Sequence, residues 1–329
     1  MSEASRSPAR AVVADIGGTN ARFAVADLGT LELSEIRHVL CSGHPTFAAA
    51  IGDYLAGLSD PPHHAAIAVA APVTSEEIRL TNSPWSFARR ELCRTVGLQD
   101  VLVLNDFEAL AFSLPHLAGA ELHQIGGLAP AEHATKVVLG PGTGLGVAGL
   151  IWSEDRWIAV PGEGGHMSLR AQDDAELGLL EQLRHGREHL SAERALSGPG
   201  LFELYRAVAA SKGEPPVALA PNDLVMRALS GEDAAAGEAF ELFVTWLGRF
   251  AGDAALLFGA RGGVYLGGGI APKIKTALSR GAFRTAFEQK GRMAAYLAPI
   301  PVYVILAEFA ALKGAAVKLR SALAASSTS

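Results

Sequence analysis

Two glycine-rich turns, each with strand-like sequence on both sides, constrain this chain more than any other feature. The first is Asp15-Ile16-Gly17-Gly18-Thr19-Asn20, between the apolar run Ala11-Val12-Val13-Ala14 and Ala21-Arg22-Phe23-Ala24-Val25-Ala26. The second is Gly140-Pro141-Gly142-Thr143-Gly144-Leu145-Gly146, between Lys136-Val137-Val138-Leu139 and Val147-Ala148-Gly149-Leu150-Ile151. Glycine has no Cβ and tolerates unusual backbone angles, so such turns can aim successive N–H groups at an anion and let it come close. A threonine in each adds a hydroxyl. The competing reading is two tight hairpins with ordinary turn chemistry. The recurrence, with Thr in both and Asp in the first, favours a polyphosphate held by two turns.

The better-known phosphate fingerprints do not fit. The chain holds no Gly-x-x-x-x-Gly-Lys-[Ser/Thr] segment, so the common nucleotide P-loop is absent. In the second turn Leu145 and Val147 stand where Gly-x-Gly-x-x-Gly needs its last glycine. β-type sequence follows instead of a helix, which argues against a dinucleotide site.

At 329 residues the expectation is two domains with sizeable cores. A formal net charge of −6 gives no reason to expect nucleic-acid or anionic-membrane partners. Cys41 and Cys93 are the only cysteines and are far apart in sequence, which fits a reducing, cytoplasmic setting without a thiolate zinc site. The longest uncharged stretch, Val137 to Ser153, is interrupted by glycines and Pro141 and does not read as a membrane span.

Strands and helices alternate. Ala65-Ala66-Ile67-Ala68-Val69-Ala70 and Val101-Leu102-Val103-Leu104 read as buried strands, the second stopping at Asn105-Asp106. A helix is expected from Phe107, terminated by Pro115. Phe240, Phe243, Val244, Leu247, Ala251 and Ala254 repeat at helical spacing, ending near Gly259. Strand Gly263-Val264-Tyr265-Leu266, the run Gly267-Gly268-Gly269, strand Val302 to Leu306 and a helix from about Ala310 to Leu323 complete the α/β pattern. The connection from Gly213 to Pro221 reads as a loop. Both halves open with strand, Gly-Thr turn and strand, a weak internal repeat.

Three polar clusters are candidates for chemistry. Asn105-Asp106 lies where a strand ends, and ligands of open α/β sheets bind outside the carboxyl ends of strands. Either residue also suits a helix N-cap. Pro161-Gly162-Glu163-Gly164-Gly165-His166 holds a carboxylate and an imidazole on a glycine loop. In Ser191-Ala192-Glu193, Ser191 suits a helix cap and Glu193 a first-turn acid, so on the residues alone Glu193 reads as structural.

Together these segments resemble the bacterial glucokinases of the non-zinc type, within the hexokinase and actin-like ATPase superfamily. The resemblance rests on Asp15-Ile16-Gly17-Gly18-Thr19-Asn20-Ala21-Arg22, Leu104-Asn105-Asp106-Phe107, Leu139 to Gly146, Pro161 to His166, and Ser191-Ala192-Glu193 through Ser197-Gly198-Pro199-Gly200. They run in the family's order over nearly the whole chain.

The resemblance implies a two-lobed α/β fold, actin-like and ribonuclease H-like, with the active site in the interlobe cleft and closure over the sugar. It implies a smaller domain of residues 1–114 plus 306–329 and a larger one of 115–305. Asn105, Asp106, Glu163, His166 and Glu193 are then sugar ligands, with Asp106 as catalytic base. Ala14, Asp15, Ile16, Gly17, Gly18, Thr19, Gly142, Thr143, Gly144 and Gly268 serve the nucleotide, and Asp15 holds Mg²⁺ through water. Glucose and ATP are the implied ligands, and a homodimer is compatible with the resemblance. Met167-Ser168-Leu169 follows His166 without cysteines, so no zinc is expected. A pyranose presents hydroxyls that both donate and accept, and three carboxylates, an amide and an imidazole complement them.

Other hexose or hexosamine kinases of the same fold remain open. A sugar-responsive regulator is disfavoured because only 14 residues precede Asp15, too few for a helix-turn-helix segment. An actin-like or chaperone-like ATPase is disfavoured by the Glu163, His166 and Glu193 set.

Overall fold

The computed structural model describes residues 10–80, 83, 85–217 and 221–326. The outermost ends of the expected smaller domain, and part of the expected Gly213–Pro221 loop, lie outside these residues. The chain forms two compact units, one of residues 1–118, 157–161 and 307–329, the other of 119–156 and 162–306.

The first unit is built on strands β1 (Arg10–Ile16), β2 (Asn20–Asp27), β3 (Leu33–Leu40), β4 (His64–Val69), β5 (Glu77–Arg79), β6 (Ser86–Ala88) and β7 (Asp100–Asn105). Its main sheet has the order β3-β2-β1-β4-β7, while β5 and β6 form a separate pair. β1 and β2 are an antiparallel hairpin, and β1, β4 and β7 run parallel. Ala11 to Ala14 and Ala65 to Val69 are fully buried, as expected of central strands covered on both faces. Helix Phe47–Ala56 contributes Phe47 and Tyr54, whose rings stack on Phe23 of β2. Helix Ala310–Ser326 packs on β1, β4 and helix Asp106–Ser113. A Cβ at Gly314 would collide with the Ala109 carbonyl, so glycine is what lets these two helices approach so closely.

The second unit adds β8 (Leu122–Gln124), β9 (Lys136–Pro141), β10 (Leu145–Ser153), β12 (Val264–Leu266) and β13 (Val302–Ile305), in the order β10-β9-β12-β13-β8, while residues 157–161 of β11 (Arg156–Gly162) count with the first unit. β9 and β10 are antiparallel, while β9, β12 and β13 are parallel. Helix Ala234–Phe258 runs through the core, burying Phe240, Phe243, Trp246 and Leu247. Beside it Glu176 is buried with its charge met by Arg249 at 2.7 Å, Trp246 Nε1 at 3.0 Å and the Gln172 N–H at 2.8 Å. Among the described residues no helix is long and apolar enough to cross a membrane.

Element boundaries shift modestly from the sequence reading. The long helix starts at Ala234, capped by Asp233, because a run of alanines extends it ahead of its first bulky residue. The final helix continues to Ser326 on the same alanine-rich propensity. Ser191 donates no cap to a helix: it precedes a 3₁₀ turn, Ala192–Arg194, and the following helix Gly198–Ser211 is capped by Ser197 through the Gly200 N–H.

Candidate active site

In the first unit, the carboxyl ends of β1 and β7 carry the candidate residues. β1 ends at Ile16 and turns through Gly17, Gly18 and Thr19 into β2. The Gly17 N–H donates to the Asn20 carbonyl at 3.0 Å, and the Cys41 N–H donates to the Thr19 carbonyl at 2.8 Å. A Cβ at Gly17 would meet only the Asn20 carbonyl, at an ordinary 3.5 Å, so packing does not demand glycine there.

Asp15 lies opposite Arg22 in the hairpin register, and Arg22 Nη1 donates to Asp15 Oδ2 at 3.1 Å. Burial pushes the Asp15 carboxyl above the usual range, with the Arg22 guanidinium working against that shift. Arg22 Nε is buried and has no hydrogen-bond partner among the described residues. Arg22 has no assigned role in the sequence reading, because its closeness to Asp15 depends on hairpin register.

Asn105 closes β7 and caps the helix that Asp106 begins. Its Oδ1 accepts from the N–H groups of Phe107 at 2.9 Å and Glu108 at 3.2 Å, and its Nδ2 donates to the Ala71 carbonyl at 3.4 Å. The cap left undecided by the sequence is therefore Asn105. Asp106 Oδ1 accepts from the Phe107 N–H at 2.9 Å. β4 lies between β1 and β7, and the register sets Asp15 level with Ala68 and Leu104, two residues before Asp106.

Among the described residues no group of three or more His, Cys, Asp or Glu side chains could cage a metal. Mg²⁺ needs no such cage: it keeps several waters and takes one or two carboxylates beside substrate phosphates. The hard oxygen donor at Asp15 fits that pattern.

In the second unit, the turn from β9 to β10 is closed by its own backbone and held by two other segments. The Gly142 N–H donates to the Gly144 carbonyl at 2.8 Å, and the Gly198 N–H, opening helix Gly198–Ser211, donates to the Gly142 carbonyl at 2.8 Å. Glu193 Oε2 accepts from the Leu145 N–H at 2.9 Å. Among the described residues the N–H groups of Thr143 and Gly144 have no partner.

The glycines of this region divide by cause. A Cβ at Gly142 would find its nearest atom 4.0 Å away, so nothing in the protein requires glycine there. A Cβ at Gly144 would collide with the Glu193 carboxylate, and one at Gly140 with the Gly267 carbonyl. Gly268 has φ +75° and would meet the Pro141 carbonyl at 2.6 Å, so the fold alone explains it.

Glu163 precedes, and His166 ends, a short 3₁₀ turn, Gly164–His166. Both side chains are exposed and carry no hydrogen bond among the described residues. Gly165 is buried where a Cβ would collide with the Leu145 carbonyl. The Ala192 N–H donates to the Met167 carbonyl at 2.7 Å, tying this loop to the segment that carries Glu193. Glu163, His166, Glu193 and the 142–144 turn are thus brought into one neighbourhood. The signal that could have hinted at it is the third glycine of the loop, which is present for packing against Leu145.

A family model described as Glucokinase matches residues 12–322. A curated glucokinase from Aromatoleum aromaticum is 45% identical over 316 residues, covering 95% of each chain. The crystal structure of a glucokinase from an Antarctic psychrotroph superposes with a TM-score of 0.85 at 34% identity, covering 95% of this chain and 99% of that one. A Balamuthia mandrillaris glucokinase, solved in complex with glucose, shares the fold with a TM-score of 0.81 at 20% identity, covering 95% and 94%.

Proposed function

The chain belongs to the glucokinase family of hexokinase-type phosphotransferases, and from that premise we propose that it transfers the γ-phosphoryl group of ATP to the primary hydroxyl of glucose. The 142–144 turn binds phosphate oxygens. The observation that carries this reading is the pair of N–H groups at Thr143 and Gly144, partnerless among the described residues, between the committed amides of Gly142 and Leu145. Uncommitted adjacent donors beside an open glycine suit an anion.

Asp106 acts as general base. Phosphoryl transfer asks mainly for positioning and charge stabilisation. Asp106 accepts the proton of the sugar hydroxyl as the hydroxyl oxygen bonds to the γ-phosphorus and the bond from that phosphorus to the β-phosphate oxygen breaks, releasing ADP. Asp106 Oδ1 meanwhile stays on the Phe107 N–H. Asn105, fixed by its capping bonds, presents what remains of its amide to the sugar. Glu163, Glu193 and His166 complete the recognition of the hydroxyls. Mg²⁺, when bound, neutralises phosphate charge, and Asp15 holds it through water.

The turn Ile16 to Thr19, with Ala14 and Asp15 leading into it, also binds nucleotide phosphates. A cytoplasmic location and use of ATP in sugar breakdown follow from the same reading. A coupled assay of the purified protein over a panel of hexoses and phosphate donors tests it. Fastest turnover with glucose and ATP is the expected result; turnover confined to another hexose or donor would replace the substrate assignment.

A further inference from the structure

The peptide unit at Leu145 is gripped from both ends. Its N–H donates to Glu193 Oε2 at 2.9 Å, and its carbonyl lies so close to Gly165 that a side chain there would collide with it. Leu145 itself is buried and is the first residue of β10, directly after the turn with the uncommitted donors. The segment carrying Glu193 is rigid for evident reasons. Ala192, Ala195 and Leu196 are fully buried, the Ala192 N–H holds the Met167 carbonyl, and the Arg194 N–H holds the Ser191 carbonyl at 3.0 Å.

Gly144 shows how closely the carboxylate sits on the turn. Its φ is not in the left-handed region, so its backbone would accept alanine. What excludes a Cβ is the Glu193 carboxylate, which supplies the nearest atoms. The absence of a side chain at 144 makes room for Glu193.

We propose that Glu193 is a positioning residue for the phosphate turn: it fixes the Leu145 amide and so holds the Thr143 and Gly144 N–H groups in place before any ligand arrives. This rests on reading the 142–144 turn as the phosphate site. A carboxylate gripping an amide is a charge-assisted bond, stronger than a neutral one. Oε1 carries no hydrogen bond among the described residues, which leaves it for the sugar. One carboxylate then serves the sugar with one oxygen and the nucleotide turn with the other.

The test measures binding of a non-hydrolysable ATP analogue with Mg²⁺ in the absence of sugar, where a residue that only touches sugar has no effect. Glu193→Ala should weaken this binding about tenfold, the loss of one such bond, and should speed hydrogen exchange at the Leu145 amide. Glu193→Gln keeps an acceptor oxygen and should restore both readouts toward wild type. Gly144→Ala should reproduce the Glu193→Ala phenotype by expelling the carboxylate. The double variant Glu193→Ala/Gly144→Ala should be no worse than either single one, since both remove the same bond. Unchanged nucleotide binding and Leu145 exchange in a folded Glu193→Ala protein would overturn the proposal. So would additive losses, which would mean the new methyl group blocks phosphate directly. If the wild-type protein failed to bind the analogue, the phosphate reading itself would fall, and Leu145 exchange would still decide whether Glu193 holds the turn.

Discussion

Asp15 and Arg22 face each other across the first hairpin, with their charged groups 3.1 Å apart. Burial nevertheless outweighs the arginine and raises the Asp15 carboxyl. A carboxyl raised in the folded state favours protonation on folding, so its contribution to stability is present at low pH and is lost as pH rises through its folded value. Asp15→Asn should therefore melt no lower than wild type at about pH 8, while losing activity. As pH falls toward about 4, wild type should gain on the variant. Thermal melts of both proteins across that range check the sign. A variant that melts lower at alkaline pH would show that the Arg22 pair, and not burial, dominates.

Asp106→Asn should cut kcat by roughly 10² to 10⁴, the usual contribution of a positioned base. Its fold should survive, because Asn105 provides the helix cap and an amide oxygen at 106 can still accept from Phe107. Steady-state kinetics should show the glucose KM within a few-fold of wild type. Retention of more than about a tenth of kcat would remove Asp106 from the role of base.

Glu163→Gln and His166→Ala should each raise the glucose KM by roughly ten- to a hundredfold, as expected for a polar partner left unpaired on binding. Melting temperature should hardly move, since both side chains are exposed and unbonded within the described residues. The double variant should lose less than the sum, because both residues serve one ligand. An early-melting His166→Ala protein with normal glucose affinity would instead mark the histidine as structural.

Gly314→Ala introduces a methyl group where the backbone of helix Asp106–Ser113 already sits. Overpacking of this kind costs about 1–3 kcal/mol. The helix that must shift begins at Asp106, so urea unfolding and kcat should fall together. Full activity in the destabilised variant would show that the strain is absorbed away from Asp106.

Local features were legible in the sequence wherever neighbours in the chain decide them. The strand-turn-strand pattern around Gly17 and Gly142 depends on residues within a few positions of each other, and so does the Asn105-Asp106 strand end. What stayed hidden depends on residues far apart. Leu145 and Glu193 are 48 positions apart, and no periodicity announces their bond. The glycines were the least transparent. Gly142 stands open, Gly144 yields to a carboxylate and Gly268 to a carbonyl and its own φ, yet all three look alike in the chain. The start of the helix at Ala234 was hidden for a simpler reason, because alanines fold as helix without marking a face.

The helix Ala310–Ser326 covers β1 and β4, although the whole of the second unit's sequence lies between those strands and the helix. On the ribosome, the strands of the first unit therefore emerge long before the helix that shields one of their faces. The second unit, continuous apart from residues 157–161, can complete itself in that interval. A nascent chain waits with an apolar sheet uncovered until its last helix is made. That interval is where chaperone capture of this protein should concentrate, and trimming the helix should trap the chain there.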